Sequence, residues 1–317
     1  MKQLFTLLMV LNYFFTNAQP DTVLKRIEII ESNNYLLDKR FRVLDLPDSI
    51  NTPVAVELKQ FVLENGLLPK ENDIEMIWET LRWVSSQWMH DGNNAADKLT
   101  PIEILKNAKT GTRYRCVEYG RVLAAVLRSF GYLSRGISME SVNYAYGAPG
   151  SGHFATEVWC DDLKKWIFLD PQFCIYTQFN GQYLNYYEMY KLKKEGKFSE
   201  IKFIISKGYT GYMAQGTKTA EEHINGYSSF LFNYFGVMKI NGKVAGKTVT
   251  LRLLMESQNQ YLTFQGFSTD NFIHTTDPVD FYFPCNQNTV IFRYKNPEKQ
   301  FNIYSEGTFF PRKLPSQ

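Results

Sequence analysis

Three residues far apart in the chain, Cys116, His153 and Asp170, have the types and settings that nucleophilic catalysis requires. Cys116 stands where a polar loop meets the start of a buried helix. Unpaired backbone N–H groups and the positive end of the helix dipole favour a thiolate there, and the same N–H groups can hold an oxyanion. Taken alone, a cysteine in such a place is more often an inert small hydrophobe. His153 and Asp170 change the balance. An imidazole oriented by a carboxylate can take a proton from sulfur and hand it on.

The case for His153 and Asp170 acting together is one of strand register. Residues 153–160 and 165–171 read as two strands around Asp161-Asp162-Leu163-Lys164. With an even loop, Cys160 faces Lys165, Trp159 faces Trp166 and Ala155 faces Asp170. His153 is then a diagonal neighbour of Asp170, about 7–8 Å away at the backbone and within side-chain reach. An odd loop turns Asp170 to the other face. Glu157 shares the His153 face and reads as an ion-paired or solvated carboxylate. Trp159 and Trp166 read as a cross-strand packing pair, with Trp159 held as a candidate substrate platform. Arg135 is either a scaffold ion-pair partner or a receiver for an acidic substrate group.

The elements that must carry these residues follow from periodicity and caps. Ile74, Ile77, Trp78, Leu81, Val84 and Trp88 recur at three and four residues and predict a helix over 72–89. Thr100-Pro101-Ile102-Glu103 is a capping box with proline in the first turn. Leu123, Val126, Leu127 and Phe130 mark a helix over 116–130, stopped at Gly131. An extended piece over 133–139 follows, then a glycine-rich loop over 147–152. That loop lacks the Lys-Ser/Thr of a phosphate cradle and reads as a mobile connector or lid. Residues 186–194 look helical, with a solvated lysine-rich end. Beyond 207, strand-like runs at 237–240, 248–255, 261–264, 280–283 and 290–294, with Asn241-Gly242 as a hairpin turn, suggest a β-rich unit.

Composition narrows the function classes. The 317 residues are 44% hydrophobic and 21% charged, ordinary for a globular protein. Thirty-five Lys plus Arg against 32 Asp plus Glu leave +3, too little to expect a nucleic-acid partner. With 24 Phe, 20 Tyr and 5 Trp, rings are plentiful enough to fill a core and line a surface. Lys2, the apolar run to Phe15 and Thr16-Asn17-Ala18 read as a secretory signal peptide over 1–18 rather than a membrane span. Export to the periplasm or the extracellular space is therefore expected. Four cysteines, Cys116, Cys160, Cys174 and Cys285, then raise the question of disulfides. Extending the ladder places Cys174 opposite Ser151, too far from Cys160 to bridge, since bonded cysteines need Cα atoms within about 7 Å. No zinc-ligand spacing is visible, His223 reads as a surface histidine, and no metal or cofactor is expected.

The ordered set resembles the core of the transglutaminase-like superfamily. The matching pieces are Arg115-Cys116-Val117-Glu118-Tyr119, then 127–135 (LRSFGYLSR), then Gly152-His153-Phe154-Ala155-Thr156-Glu157-Val158-Trp159, and Lys165-Trp166-Ile167-Phe168-Leu169-Asp170-Pro171. Residues 78–90 resemble the helix before the cysteine. The resemblance implies an α+β, papain-like fold: helices packed on an antiparallel sheet, followed here by the β-rich C-terminal unit. Together with the leader and the strand-like runs, it suggests a division into the signal peptide 1–18, a helical extension 19–70, a transglutaminase-like core 71–206 and a β-rich C-terminal domain 207–317. It implies Cys116 as nucleophile, His153 as general base and acid, and Asp170 as its orienter. The reaction it implies is attack on an amide carbonyl, with a thioester resolved by water or an amine. Tyr114, Arg113 and Trp88 are candidates for the oxyanion or substrate contacts. Val117 stands where animal cross-linking members carry tryptophan, and no calcium-loop pattern is present. Hydrolysis of a peptide or side-chain amide is therefore favoured over cross-linking. A non-catalytic peptide- or glycan-binding member, and removal of glycans from glycopeptides, are the other readings.

Overall fold

The computed structural model describes residues 41–42, 52–142, 144, 152–214, 216–244, 247–257, 272–275, 278 and 281–282. The signal-peptide segment, the glycine-rich loop up to residue 151, the runs at 261–264 and 290–294, and Cys285 lie outside them.

After a short strand β1 (Phe41–Arg42), four helices precede the sheet: α1 (Pro53–Glu64), α2 (Asp73–Ser85), α3 (Pro101–Ala108) and α4 (Cys116–Ser129). Their starts are set locally. Thr52 and Asn72 cap α1 and α2, and Thr100 with Glu103 closes the expected capping box on α3. The expected helix over 72–89 stops at Ser85. Thr80, Ser85 and Ser86 turn their hydroxyls back onto carbonyls four residues earlier, which competes with continued helix. The chain then extends through Trp88 and carries His90 beside Tyr114 in a parallel bridge.

Next come β2 (Ser134–Glu140), β3 (Gly152–Cys160), β4 (Lys165–Asp170), β5 (Ile175–Phe179), β6 (Gln182–Tyr183), α5 (Tyr186–Lys194) and β7 (Lys202–Ile205). The chain continues with α6 (Gly211–Ala214), α7 (Ala220–Leu231), β8 (Val237–Val244), β9 (Lys247–Leu254) and β10 (Phe272–Thr275). The described strands form one sheet in the order β10-β9-β8-β2-β3-β4-β5-β6, with β1 on β8 and β7 on β5. All pairs are antiparallel except β10 with β9. Trp159 pairs with Trp166 and Cys160 with Lys165, the even-loop register.

Alternation along these strands makes two cores. Val158, Cys160, Ile167 and Leu169 join the residues of α1–α4 on one face. Ala155, Trp159, Trp166 and Phe168 join Tyr186, Met189, Tyr227, Leu231, Phe235 and Met238 on the other. The chain is thus an α+β fold with helices on an antiparallel sheet.

Beyond residue 207 strands are present as expected at 237–244 and 247–254, but they are not the first elements. Two helices come first, and β8 then pairs with β2, so the sheet runs unbroken across the expected division. Asn241-Gly242 is not the turn. It lies within β8, opposite Thr250 and Val249, and the ladder runs on to Val244 and Lys247. Eight consecutive cross-strand pairs outweigh the turn preference of two residues. Phe281 and Tyr282 close a turn on the Pro278 carbonyl rather than forming a strand.

Candidate active site

Cys116 is the first residue of α4, and Arg115 caps the helix without a side-chain hydrogen bond. The first-turn N–H groups therefore keep their unshared positive end. The buried carboxylate of Glu118, two residues on from Cys116, is occupied. It accepts from Arg115 Nε (3.2 Å) and Nη2 (2.9 Å) and from the Ala96 N–H (3.0 Å). This hydrogen bond to Glu118 raises the Arg115 pKa further, so the guanidinium stays charged and pairs the buried acid.

The placing of α4 rests on two glycines. The Phe154 ring lies against Gly120 of α4 and Gly136 of β2, where an added Cβ would stand 2.4 Å and 2.5 Å from ring carbons. The Thr156 hydroxyl donates to the Gly120 carbonyl at 3.0 Å. The helix is thereby held close to β3, and its first residue meets the strand that carries His153.

His153 is buried, and its Nε2 lies 2.7 Å from Asp170 Oδ2. With Nε2 taken, Nδ1 is the nitrogen left for Cys116, whose side chain is near enough to act on the ring's pKa. Burial alone lowers the imidazole pKa. The Asp170 carboxylate, its hydrogen bond and then Cys116 outweigh burial, and the pKa is pushed up to about 10. Asp170 is fully buried and richly bonded. Its Oδ2 also accepts from the Tyr227 hydroxyl (2.9 Å), and its Oδ1 from the N–H groups of Gln172 (3.1 Å) and Phe173 (3.4 Å). This turn ends β4, so the ladder does not extend to Cys174 as expected. Cys174 sits in the turn with φ 57°. Cys160 and Cys174 are nevertheless both buried and unbridged, and Cys116 is a free thiol too. Burial pushes the Cys174 thiol up to about 12.

Helix α7 and the turn that follows it supply residues that sequence reasoning missed. Tyr227 reaches Asp170. His223 is buried, not at the surface, and its Nε2 bonds the Phe173 carbonyl at 2.8 Å. Phe230 and Tyr234 stand edge-on to the His153 ring, with centroids 5.0 and 6.0 Å away. Burial, then the charge of Cys116, raise the Tyr234 phenol pKa. His223, Tyr227 and Phe230 recur at four and three positions, the stripe of one helical face, and Tyr234 follows three residues past the last helical residue, Leu231. That stripe was the available signal. His90 was also missed: burial, then the charge on His153, lower its pKa.

The remaining candidates are placed as follows. Trp88 and Tyr114 are buried and meet edge-to-face at 5.7 Å, two residues before Cys116 in the case of Tyr114. Trp88 Nε1 is buried without a hydrogen-bond partner, a cost that calls for a role. Arg113 offers its carbonyl to Asn94. Trp159 is at the far end of β3 from His153. It is buried against Trp166 at 6.0 Å, with Nε1 on Asp161 Oδ1, so it packs the core and does not face the sulfur. Arg135 and Glu157 form a buried ion pair at 2.6 Å, closed by the Tyr186 N–H and the Tyr282 hydroxyl on Glu157. Among the described residues, no cluster of His, Cys, Asp or Glu is arranged to hold a metal. No described helix is long and apolar enough to cross a membrane.

Residues 63–171 match a family described as the transglutaminase-like superfamily. That stretch takes in α2 to β4, including Cys116, His153 and Asp170, and ends before α7. Among solved structures, a candidate cysteine protease from Cytophaga hutchinsonii aligns with 12% identity and a TM-score of 0.31. The alignment covers 37% of this chain and 37% of that one, just over a third of either. A likeness that slight carries no argument. No curated protein matches the chain.

Proposed function

Starting from a transglutaminase-like core over residues 63–171, we propose that the chain is an exported cysteine-dependent enzyme that hydrolyses a peptide or side-chain amide. One observation carries this reading: the buried His153 ring is bonded to the Asp170 carboxylate at 2.7 Å, and the Cys116 side chain is near enough to help raise the imidazole pKa. Imidazolium beside the sulfur favours the thiolate–imidazolium pair that such chemistry needs.

In the proposed reaction the Cys116 thiolate forms a bond to the amide carbonyl carbon. The π pair moves to oxygen, where the first-turn N–H groups of α4 receive the charge. The second donor is the buried Trp88 indole, whose N–H has no other partner. The intermediate collapses, the C–N bond breaks, and the amine leaves with the proton from His153. Water then attacks the thioester while His153 takes its proton. The C–S bond breaks, releasing a carboxylic acid and restoring the thiolate.

The test is iodoacetamide labelling against pH with peptide-mapped sites, comparing the protein with Cys116→Ala. Cys116 is expected to label fast at about pH 6, where free thiols of pKa about 8.5 react slowly. Cys160 and Cys174 are expected to label only after unfolding. Labelling of Cys116 no faster than a free peptide thiol refutes activation. Incubation with peptides, glutamine-containing proteins and asparagine-linked glycopeptides then separates amide hydrolysis from sugar release, and absence of turnover on all three favours a binding module.

A further inference from the structure

We propose that Tyr227 is a positioning residue for this reaction, holding Asp170 in the one orientation that keeps His153 aimed at Cys116. The proposal deepens the reading of Cys116, His153 and Asp170 as a working trio and rests on it. It also extends the working unit beyond residues 63–171 to a helix that the family match does not include.

The argument starts from the donors on Asp170. Its Oδ1 faces only the Gln172 and Phe173 N–H groups, at 3.1 and 3.4 Å, the longer pair of contacts. Its Oδ2 carries the two shorter ones, His153 Nε2 at 2.7 Å and the Tyr227 hydroxyl at 2.9 Å. Without Tyr227, the carboxylate is free to turn about its Cβ–Cγ bond against two weak anchors. With it, Oδ2 is held by a second donor besides the imidazole. Short hydrogen bonds to an ionised group are the strong ones.

Tyr227 is itself immobile. It is buried, and its ring packs on Phe173 at 4.8 Å and Phe203 at 5.7 Å. One turn earlier in α7, His223 bonds the Phe173 carbonyl at 2.8 Å. That fixes the same turn whose N–H groups hold Oδ1. The helix thus grips Asp170 at both oxygens, directly at Oδ2 and through the turn at Oδ1. Burial and the adjacent Asp170 hold the Tyr227 phenol well above its ordinary pKa of 10.0, so the hydroxyl remains a donor wherever the enzyme works.

The donor has a second consequence. It draws negative charge from Oδ2 and tempers the pull of Asp170 on the imidazolium. His153 can then give up its proton to the leaving amine instead of retaining it.

The test compares the intact protein with Tyr227→Phe and with 3-fluorotyrosine placed at position 227, whose more acidic hydroxyl is the stronger donor. The readouts are the His153 imidazole titration by nitrogen NMR and the pH profile of Cys116 alkylation. With Phe, His153 is expected to deprotonate at higher pH, and with fluorotyrosine at lower pH. For amide hydrolysis, kcat is expected to fall about tenfold with Phe, the scale of one charge-assisted hydrogen bond, at unchanged KM. Opposite shifts from two variants are not moved by a structural role alone. If Tyr227→Phe does not fold, the fluorotyrosine protein decides the matter. An imidazole titration and alkylation profile that superimpose on those of the unaltered protein overturn the proposal. The imidazole titration reads Tyr227 whether or not Cys116 proves activated, so failure of the acyl-transfer reading is seen separately, as slow alkylation of the unaltered protein.

Discussion

Gly120→Ala is a sharp probe of how the helix delivers its sulfur. The new methyl carbon would stand 2.4 and 2.6 Å from Phe154 ring carbons and 3.0 Å from the Ala155 carbonyl oxygen. Ordinary contact begins near 3.4 Å, so something must give by about 1.0 Å. The ring is also closely packed against Gly136, where an added Cβ would stand 2.5 Å from it, so its own room to shift is small. The compliant path is movement of α4 away from β3, which stretches the bond from Thr156 to the Gly120 carbonyl. Stability alone will report this poorly. Overpacking costs about 1–3 kcal/mol, and replacing a mid-helix glycine by alanine returns about 1 kcal/mol. Reactivity is the better readout, since a displacement of about 1 Å at a catalytic group costs on the order of a hundredfold in rate. The assay is the second-order rate of Cys116 alkylation near neutral pH beside a urea unfolding curve. A large loss of rate with a small loss of stability is expected, and Phe154→Leu in the same chain should restore part of the rate. An unchanged alkylation rate in a folded Gly120→Ala protein would show that the glycine contact does not set the position of Cys116.

Two further outcomes follow from the buried charges. The His153 pKa is raised from 6.5 to about 10, so the folded protein holds that proton more tightly than the unfolded chain. The stabilisation is fully present below about pH 6.5 and is lost as pH rises through about 10. The stability gap between the unaltered protein and His153→Gln, from urea midpoints, should therefore narrow from about pH 7 to pH 10; a constant gap contradicts the raised pKa. Separately, Arg135→Ala strands the buried Glu157 carboxylate and should cost about 3–5 kcal/mol in urea unfolding, whereas Arg135→Met with Glu157→Leu should cost much less. Equal losses from both proteins refute the desolvation argument.

What the chain alone determined was local. Thr100 and Glu103 specify a helix start because the orphan N–H groups of a first turn need acceptors within three residues. The even loop from Asp161 to Lys164 and the facing pair Trp159 and Trp166 specify the register that sets His153 beside Asp170. Cys116 at the start of α4 was legible for the same reason, since the helix and its cap are neighbours in sequence. The limits of such reading are equally physical. Asn241-Gly242 carries a turn preference, yet pairing along the whole of β8 overrode it. Glu157 and Trp159 share a strand face with His153, but a face is longer than a site, and distance along β3 put them in the core. The spacing of His223, Tyr227 and Phe230 shows that α7 has an inward side without naming what it covers. Only packing of that helix across the sheet, more than fifty residues after Asp170, turned an anonymous apolar stripe into the clamp on a carboxylate. Periodicity and caps act over a few residues and are written in order along the chain. Which buried donor meets which buried acceptor depends on how distant segments close over one another, and that was decided by the tertiary fold.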